Sequence, residues 1–106
     1  MFRALAVAAV AIALGSFATA ARAEIYPRQF RNDYVRVCAA SEGLRQYGLA
    51  LSFEICHCVV KFLEFRLTYA EMTEEFRKSE RNQQNRFDAV ISEGGLFCEK
   101  LMVDPR

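Results

Sequence analysis

SFEICHCVVKFLEFRL, residues 52–67, is the stretch that decides the fold. Its apolar residues, placed at about 100° per residue, cover more than half of a helix circumference. The polar residues left over form a narrow stripe of Glu54, His57, Lys61 and Glu64. A helix this apolar needs neighbours on two sides, so the stretch predicts the central helix of an all-α bundle, with Ser52 as its N-cap.

The segment that follows the central helix predicts a third helix. TYAE, residues 68–71, matches a capping box in which the threonine ends one helix and caps the next. The new helix would bury Met72 and Phe76 and is otherwise heavily charged, which is typical of a solvated outer helix. We therefore expect the adjacent Glu74 and Glu75 on a solvated face rather than in an acid–base site.

The segment before the central helix predicts a first helix and a loop. Pro27 suits a first helical position, where its missing N–H costs nothing, and Phe30 and Tyr34 follow at helical spacing. Gly43 is expected to stop this helix. Residues 44–51 are interpreted as a loop that leads to Ser52.

The C-terminal segment predicts a turn at residues 82–85 and then a fourth helix. One face of that helix would carry Phe87, Val90, Ile91, Gly94 and Cys98. The adjacent Gly94 and Gly95 each weaken a helix by about 1 kcal/mol relative to alanine. Because the apolar spacing continues to Met102, we expect an unbroken helix whose glycines allow close packing on the central helix.

Four cysteines predict how these helices are held together. Cys56 and Cys58 are two residues apart on a helix and point about 200° apart, so they are poorly placed to bond each other. Each is placed to bond a different neighbouring helix, one through Cys38 and the other through Cys98. Two disulfides are therefore expected, and two pairings remain open, 38–56 with 58–98 or 38–58 with 56–98.

The element Cys56-His57-Cys58 also has an alternative interpretation as a metal or redox site. Thiolates select soft metals, and His57 would add a nitrogen ligand. Helical geometry disfavours this use because neighbouring side chains diverge by about 100°. The Cys-x-x-Cys spacing typical of redox motifs is absent from the sequence. We expect no metal ligands and no cofactor, and keep thiol chemistry as the alternative.

Residues 1–23 have the three parts of a secretory signal peptide. Arg3 supplies a positive start, residues 4–14 contain only Ala, Val, Leu and Ile, and residues 21–23 read Ala-Arg-Ala. The apolar run is shorter than the roughly 20 residues that span a bilayer. These features predict cleavage before Glu24, a single helical domain over residues 24–106, and a periplasmic or secreted protein with a Gram-negative export signal.

The charge of the predicted mature chain argues against nucleic acid and anionic membrane surfaces as partners. The full sequence has 14 basic and 13 acidic residues, and Arg3 and Arg22 leave with the signal peptide, so the net charge becomes −1. A chain with this balance has no basic footprint for nucleic acid or for an anionic membrane surface. We expect no nucleic-acid partner and no stable membrane insertion after cleavage.

The cysteine layout resembles a loose group of exported proteins. Cys38, then Cys56-His57-Cys58 and finally Cys98, with Leu63 and Tyr69 after the paired cysteines, is similar to small exported bacterial helical proteins with a Cys…Cys-x-Cys…Cys signature. The resemblance covers most of residues 24–106. It implies the helical fold and transfers no activity or site residue.

The remaining candidate residues point to binding rather than catalysis. His57 is the sole histidine and has no Ser or Asp pattern around it, so no nucleophilic triad is indicated. Phe53 lies on the polar side of the central helix, either covered by the preceding loop or exposed to a partner. Arg28, Arg31 and Arg36 are candidates for a docking surface.

These observations favour a non-enzymatic binding or interaction protein in the cell envelope. It would be an inhibitor, an immunity-like protein or an accessory factor of an envelope complex. The sequence is compatible with a monomer or a homodimer.

Overall fold

The computed structural model describes residues 24–103, and the predicted signal peptide lies outside these residues. The described chain contains four α-helices and one 3-10 helix, without a strand. In chain order they are α1 (Arg28–Ala39), the 3-10 helix (Glu42–Tyr47), α2 (Leu49–Arg66), α3 (Tyr69–Glu80) and α4 (Arg86–Val103). The prediction of a small all-α bundle with two disulfides is confirmed.

Two boundaries in the first half of the chain differ from the prediction. α1 ends at Ala39 rather than at Gly43, and a 3-10 helix occupies the first half of the predicted loop. α2 begins at Leu49 rather than after Ser52, because Gly48 turns the chain with a φ of 81° that favours glycine. Ser52 is inside the helix and buried, and its hydroxyl donates a hydrogen bond of 2.8 Å to the Leu44 carbonyl.

The predicted capping box at the start of α3 is confirmed. The Thr68 hydroxyl accepts a hydrogen bond from the Glu71 amide at 3.1 Å, and the Glu71 carboxylate accepts one from the Thr68 amide at 2.9 Å. Both bonds satisfy amide groups that have no partner inside a helix. These bonds lower the pKa of the Glu71 carboxyl. Met72 is buried as predicted, whereas Phe76 keeps more than a third of its surface exposed.

α4 is continuous through its two glycines, as expected. A Cβ added to Gly94 would lie 2.9 Å from a ring carbon of Phe62, whereas one added to Gly95 would meet nothing within 4 Å. Gly94 therefore allows α4 to approach α2 closely. At the start of α4, the Asn85 side chain accepts a hydrogen bond of 2.7 Å from the Asp88 amide.

α2 is the central helix, packed between α1 and α4. The Cys38–Cys56 bridge and the Tyr26 contact with Leu63 show that α1 runs antiparallel to α2. Two clusters of buried side chains form the core, one around Ile55 and Val59 and one around Leu63 and Met72. The predicted position of the helix is confirmed.

The residues before α1 close the C-terminal end of α2. The Tyr26 hydroxyl donates hydrogen bonds to the carbonyls of Leu63 at 3.1 Å and Leu67 at 2.7 Å. The Tyr26 amide donates to the carboxylate of Glu64 at 2.7 Å. Burial, followed by the charge of Glu64, raises the pKa of the Tyr26 phenol. We call Glu24–Tyr26 the N-terminal strap.

Candidate functional site

The two disulfides extend from opposite sides of α2. Cys56 is bonded to Cys38 of α1, with 6.0 Å between the Cα atoms, and Cys58 is bonded to Cys98 of α4, with 5.8 Å. All four cysteines are therefore bonded as predicted. Of the two pairings that the sequence left open, the structure shows 38–56 with 58–98.

The side chains of Cys56, His57 and Cys58 do not point toward a common site. The two sulfurs are bonded to different helices, and His57 between them is exposed. A disulfide sulfur is not the thiolate that binds soft metals or attacks an electrophile. Thiol chemistry at this element would require reduction first. Within residues 24–103, no group of three or more His, Cys, Asp and Glu side chains is placed to hold a metal ion.

A groove follows the seam between α2 and the second half of α4. Its volume is about 500 Å³. It is lined by Glu54, His57, Cys58, Lys61, Phe62, Phe97, Leu101 and Met102. Phe62 forms the floor, with its ring 5.6 Å from that of Phe97 and directly over Gly94. This groove and the outer sides of α2 and α4 beside it are called the open face.

Large apolar side chains stand out from the open face. Phe65 of α2 is 76% exposed, and on α4 the groove residues Phe97 and Leu101 are 52% and 53% exposed. Met102, which also lines the groove, is 37% exposed and extends this apolar surface toward the end of α4. A contiguous exposed patch of this kind marks an interaction surface more often than a scatter of single residues does.

Charged side chains border the apolar surface. Glu54 and Lys61 lie on the groove side of α2, and neither forms an ion pair with another described residue. Arg66 closes one end of the groove, where its guanidinium lies 4.9 Å from the centre of the Phe62 ring and pairs with Glu93. The open face thus has an apolar centre and a polar rim, which is the arrangement of a protein interface.

The residues predicted as possible partner contacts lie elsewhere. Phe53 is partly buried and packs against the core cluster that contains Leu44, which favours the covered alternative. Arg28 and Arg36 are exposed on α1, and Arg36 pairs with Asp33 at 3.0 Å. Arg31 is partly buried, and its Nε has no hydrogen-bond partner among the described residues. None of these residues lines the groove.

Three further residues differ from their predicted environments, in addition to Ser52 and Phe76. Glu64 was expected on the polar stripe but is buried, because its carboxylate accepts the strap amide of Tyr26. Phe65 was expected in the buried arc but is exposed. Glu75 was expected in solvent but is buried at the junction of α3 and α4.

Glu75 is a structural residue that sequence reasoning missed. Its carboxylate accepts hydrogen bonds from the Arg86 amide at 2.6 Å and from the Lys78 ammonium at 2.9 Å. The Arg86 hydrogen bond, followed by that of Lys78, lowers the pKa of the Glu75 carboxyl. Its neighbour Glu74 is exposed as expected. No signal in the local sequence distinguishes the two, since the amide partner is eleven residues away.

Comparison with known proteins assigns no family. No protein-family model, curated protein or solved structure matches the chain. The resemblance to exported proteins with a Cys-x-Cys signature therefore stays a prediction. Within residues 24–103, no helix is both long and apolar enough to cross a bilayer.

Proposed function

We propose that this chain is a non-enzymatic binding protein of the cell envelope, periplasmic or secreted, which docks a protein partner through its open face. The observation that carries the proposal is the apolar surface of α2 and α4, where Phe65, Phe97 and Leu101 are each more than half exposed. Burying such side chains gains about 25 cal/mol per Å². A partner that covers this surface would recover that free energy.

The shape of the open face favours a protein over a small molecule. Sites for small ligands are concave and bury most of the ligand surface. Here Phe97 and Leu101 line the groove and yet keep about half of their own surface exposed, so they protrude more than they enclose. A shallow face formed by two neighbouring helices suits packing against the helices of another protein.

Two features support action outside the cytoplasm. Two disulfides join α2 to its neighbours, and disulfides persist mainly in oxidising compartments. The first 23 residues match an export signal in sequence. Both are compatible with a periplasmic or secreted protein, and the inhibitor, immunity-like and accessory roles all belong to this class.

Site-specific photocrosslinking in exporting cells tests the proposal. A photoreactive phenylalanine at Phe97 is expected to give an adduct of one discrete mass, and the same probe at Glu80 on α3 should give none. The substitution Leu101→Asp, placed in the Phe97 probe chain, is expected to remove the adduct because it puts a charge in the apolar centre. Equal labelling at Phe97 and Glu80, or an adduct that persists with Leu101→Asp, would contradict docking through the open face.

The thiol alternative is tested by alkylation before and after reduction. For the binding protein we expect a chain that starts at Glu24, four hydrogens lighter than the fully reduced form, with no reactive thiol until it is reduced. Reactive thiols at Cys56 and Cys58 in exported protein, or bound metal, would favour the metal or redox function instead.

A further inference from the structure

We propose that the partner on the open face is a second copy of this chain, related by a two-fold axis that lies in the plane of the face and runs perpendicular to α2 and α4. The inference rests on the proposed function, since it identifies the protein that docks on the same surface. In this arrangement α2 packs antiparallel on α2 of the second copy, and α4 on α4.

The internal register of the open face follows from two contacts. Cys58 is bonded to Cys98, and Phe62 lies against Gly94. Four residues forward on α2 therefore correspond to four residues backward on α4, so the two helices are antiparallel. Any position on one helix then has a known level on the other.

The charges of α2 are self-complementary about one point. Glu54 and Lys61 both line the groove and are seven residues apart, which is two turns and about 10.5 Å along the same side of the helix. A two-fold axis midway between them, at the level of His57 and Cys58, places Glu54 opposite Lys61 of the second copy. Symmetry makes this ion pair twice. Neither residue has an ion-pair partner among the described residues.

The same axis produces apolar matches that were not used to place it. By the register above, it crosses α4 between Cys98 and Glu99. On α4, Phe97 then lies at the level of the aliphatic stem of Lys100 of the second copy. On α2, Phe65 lies at the level of Ala50 of the second copy. The most exposed aromatic ring of the open face thus faces the smallest side chain of α2.

The open face is large enough for a specific contact. α2 and α4 have 18 residues each. By the register above they lie side by side over residues 53–66 of α2, a patch about 21 Å long and about 20 Å wide, on the order of 400 Å² before the relief of side chains is counted. Specific interfaces bury about 800 Å² of accessible surface per partner. An isologous dimer on this face is therefore expected at the small end of specific interfaces, with modest affinity.

Charge reversal on the oxidised chain of residues 24–106 tests the axis. Sedimentation equilibrium is expected to show a monomer–dimer equilibrium for the native sequence. Glu54→Lys and Lys61→Glu should each raise the dissociation constant about 10-fold or more, since each variant places like charges together twice. The double variant with both reversals should restore the native dissociation constant. Glu80→Lys, an equal charge change on α3, is the matched control and should leave it unchanged.

Two results would overturn the inference. The first is a native chain that stays monomeric at about 100 μM, a concentration at which even modest homodimers form. The second is a double variant that associates no better than the single ones, which would exclude this two-fold arrangement.

The photocrosslinked adduct separates this failure from failure of the proposed function. An adduct of twice the chain mass, containing only this chain, supports the dimer. An adduct that contains a different protein, from a chain that is monomeric when purified, keeps the proposed function and rejects the second copy as partner. No adduct at Phe97 rejects both.

Discussion

The two sides of α2 carry similar apolar side chains but differ in their exposure to solvent. Leu63, which faces α1 and the N-terminal strap, is completely buried, whereas Phe65 two residues further on is 76% exposed. The closed side is covered by α1, by the 3-10 helix and by the strap; the open side has the groove. Hydrophobicity alone thus does not bury a side chain, because the supply of neighbouring helices decides which apolar side is covered.

Removing one disulfide at a time is expected to have the largest effect on stability. Cys58→Ala with Cys98→Ala opens the bridge beside the open face, and Cys38→Ala with Cys56→Ala opens the one on the closed side. Their sequence separations are 40 and 18. Loop-closure entropy in the unfolded chain gives losses of about 4 and about 3 kcal/mol respectively. Urea unfolding of the two double variants measures both losses.

The order of the two losses is the informative result. If the variant without the 38–56 bridge loses more free energy of unfolding than the other, packing on the closed side contributes more than loop-closure entropy does. The entropic account of these bridges would then be wrong.

Truncating one side chain on each side of α2 compares the two environments directly. Leu63→Ala leaves a cavity in a closed core and should lower the free energy of unfolding by about 3 kcal/mol. Phe65→Ala removes a larger side chain from solvent and should change it by about 0.5 kcal/mol or less in the monomer. Both values come from urea unfolding at low protein concentration, and similar losses for the two variants would contradict an open side.

The close packing of α4 on α2 is tested by substituting the two glycines of α4. Gly94→Ala should destabilise the fold by about 1–2 kcal/mol, because the new Cβ displaces the Phe62 ring at the floor of the groove. Gly95→Ala, the matched control, has open space and should stabilise α4 by about 0.5–1 kcal/mol. Thermal unfolding distinguishes the opposite signs. Stabilisation by both substitutions would show that α2 and α4 can separate at the seam without cost.

Acid titration examines the closed junction of α3 and α4 and should give the smallest effect. The folded pKa of Glu75 is lowered, so its contribution is present above the unfolded pKa of about 4 and is lost as the pH falls through the folded value. Asp88, hydrogen-bonded to Asn85 and Ser79, shifts in the same direction. Urea midpoints of the native chain should therefore fall as the pH drops below about 4.

Glu75→Gln is expected to flatten this pH dependence, because the amide cannot gain a proton in that range. Glu74→Gln removes an equal charge from the exposed neighbour and serves as the control. An equal flattening by both variants would contradict the assignment of the acid-sensitive contact to Glu75.

The sequence predicted those features that depend on residues close together in the chain. The capping box needs only Thr68 and Glu71, and the helical character of α2 needs only its composition and spacing. The start of α2 was misplaced because Ser52 resembles an N-cap, while its hydroxyl is used by the Leu44 carbonyl instead. Gly48, the residue that turns the chain, carried a signal for the true boundary in its preference for positive φ.

The candidate site was less predictable than the fold. Phe53 was chosen because it departs from the helical pattern, and the three α1 arginines because they are charged residues on the predicted surface of α1, whereas the open face consists of apolar residues that fit the pattern well. Phe65 and Phe97 carry the same apolar signal as core residues. A helical wheel gives the angle of each side chain but not the position of the next helix, so it cannot mark an apolar side that remains uncovered.

The amino-acid sequence by itself determined the helices, the capping box of α3 and the fact that Cys56 and Cys58 bond outward to two different helices. These features are decided by backbone geometry and hydrogen bonds within a few residues. Only the tertiary structure decided which cysteine meets which partner, that Glu64 and Glu75 are buried, and that one apolar side of α2 stays open. The cysteine pairing and the two buried glutamates depend on groups from distant segments, namely the sulfur of Cys98, the Tyr26 amide and the Arg86 amide. The open side depends on where the neighbouring helices lie.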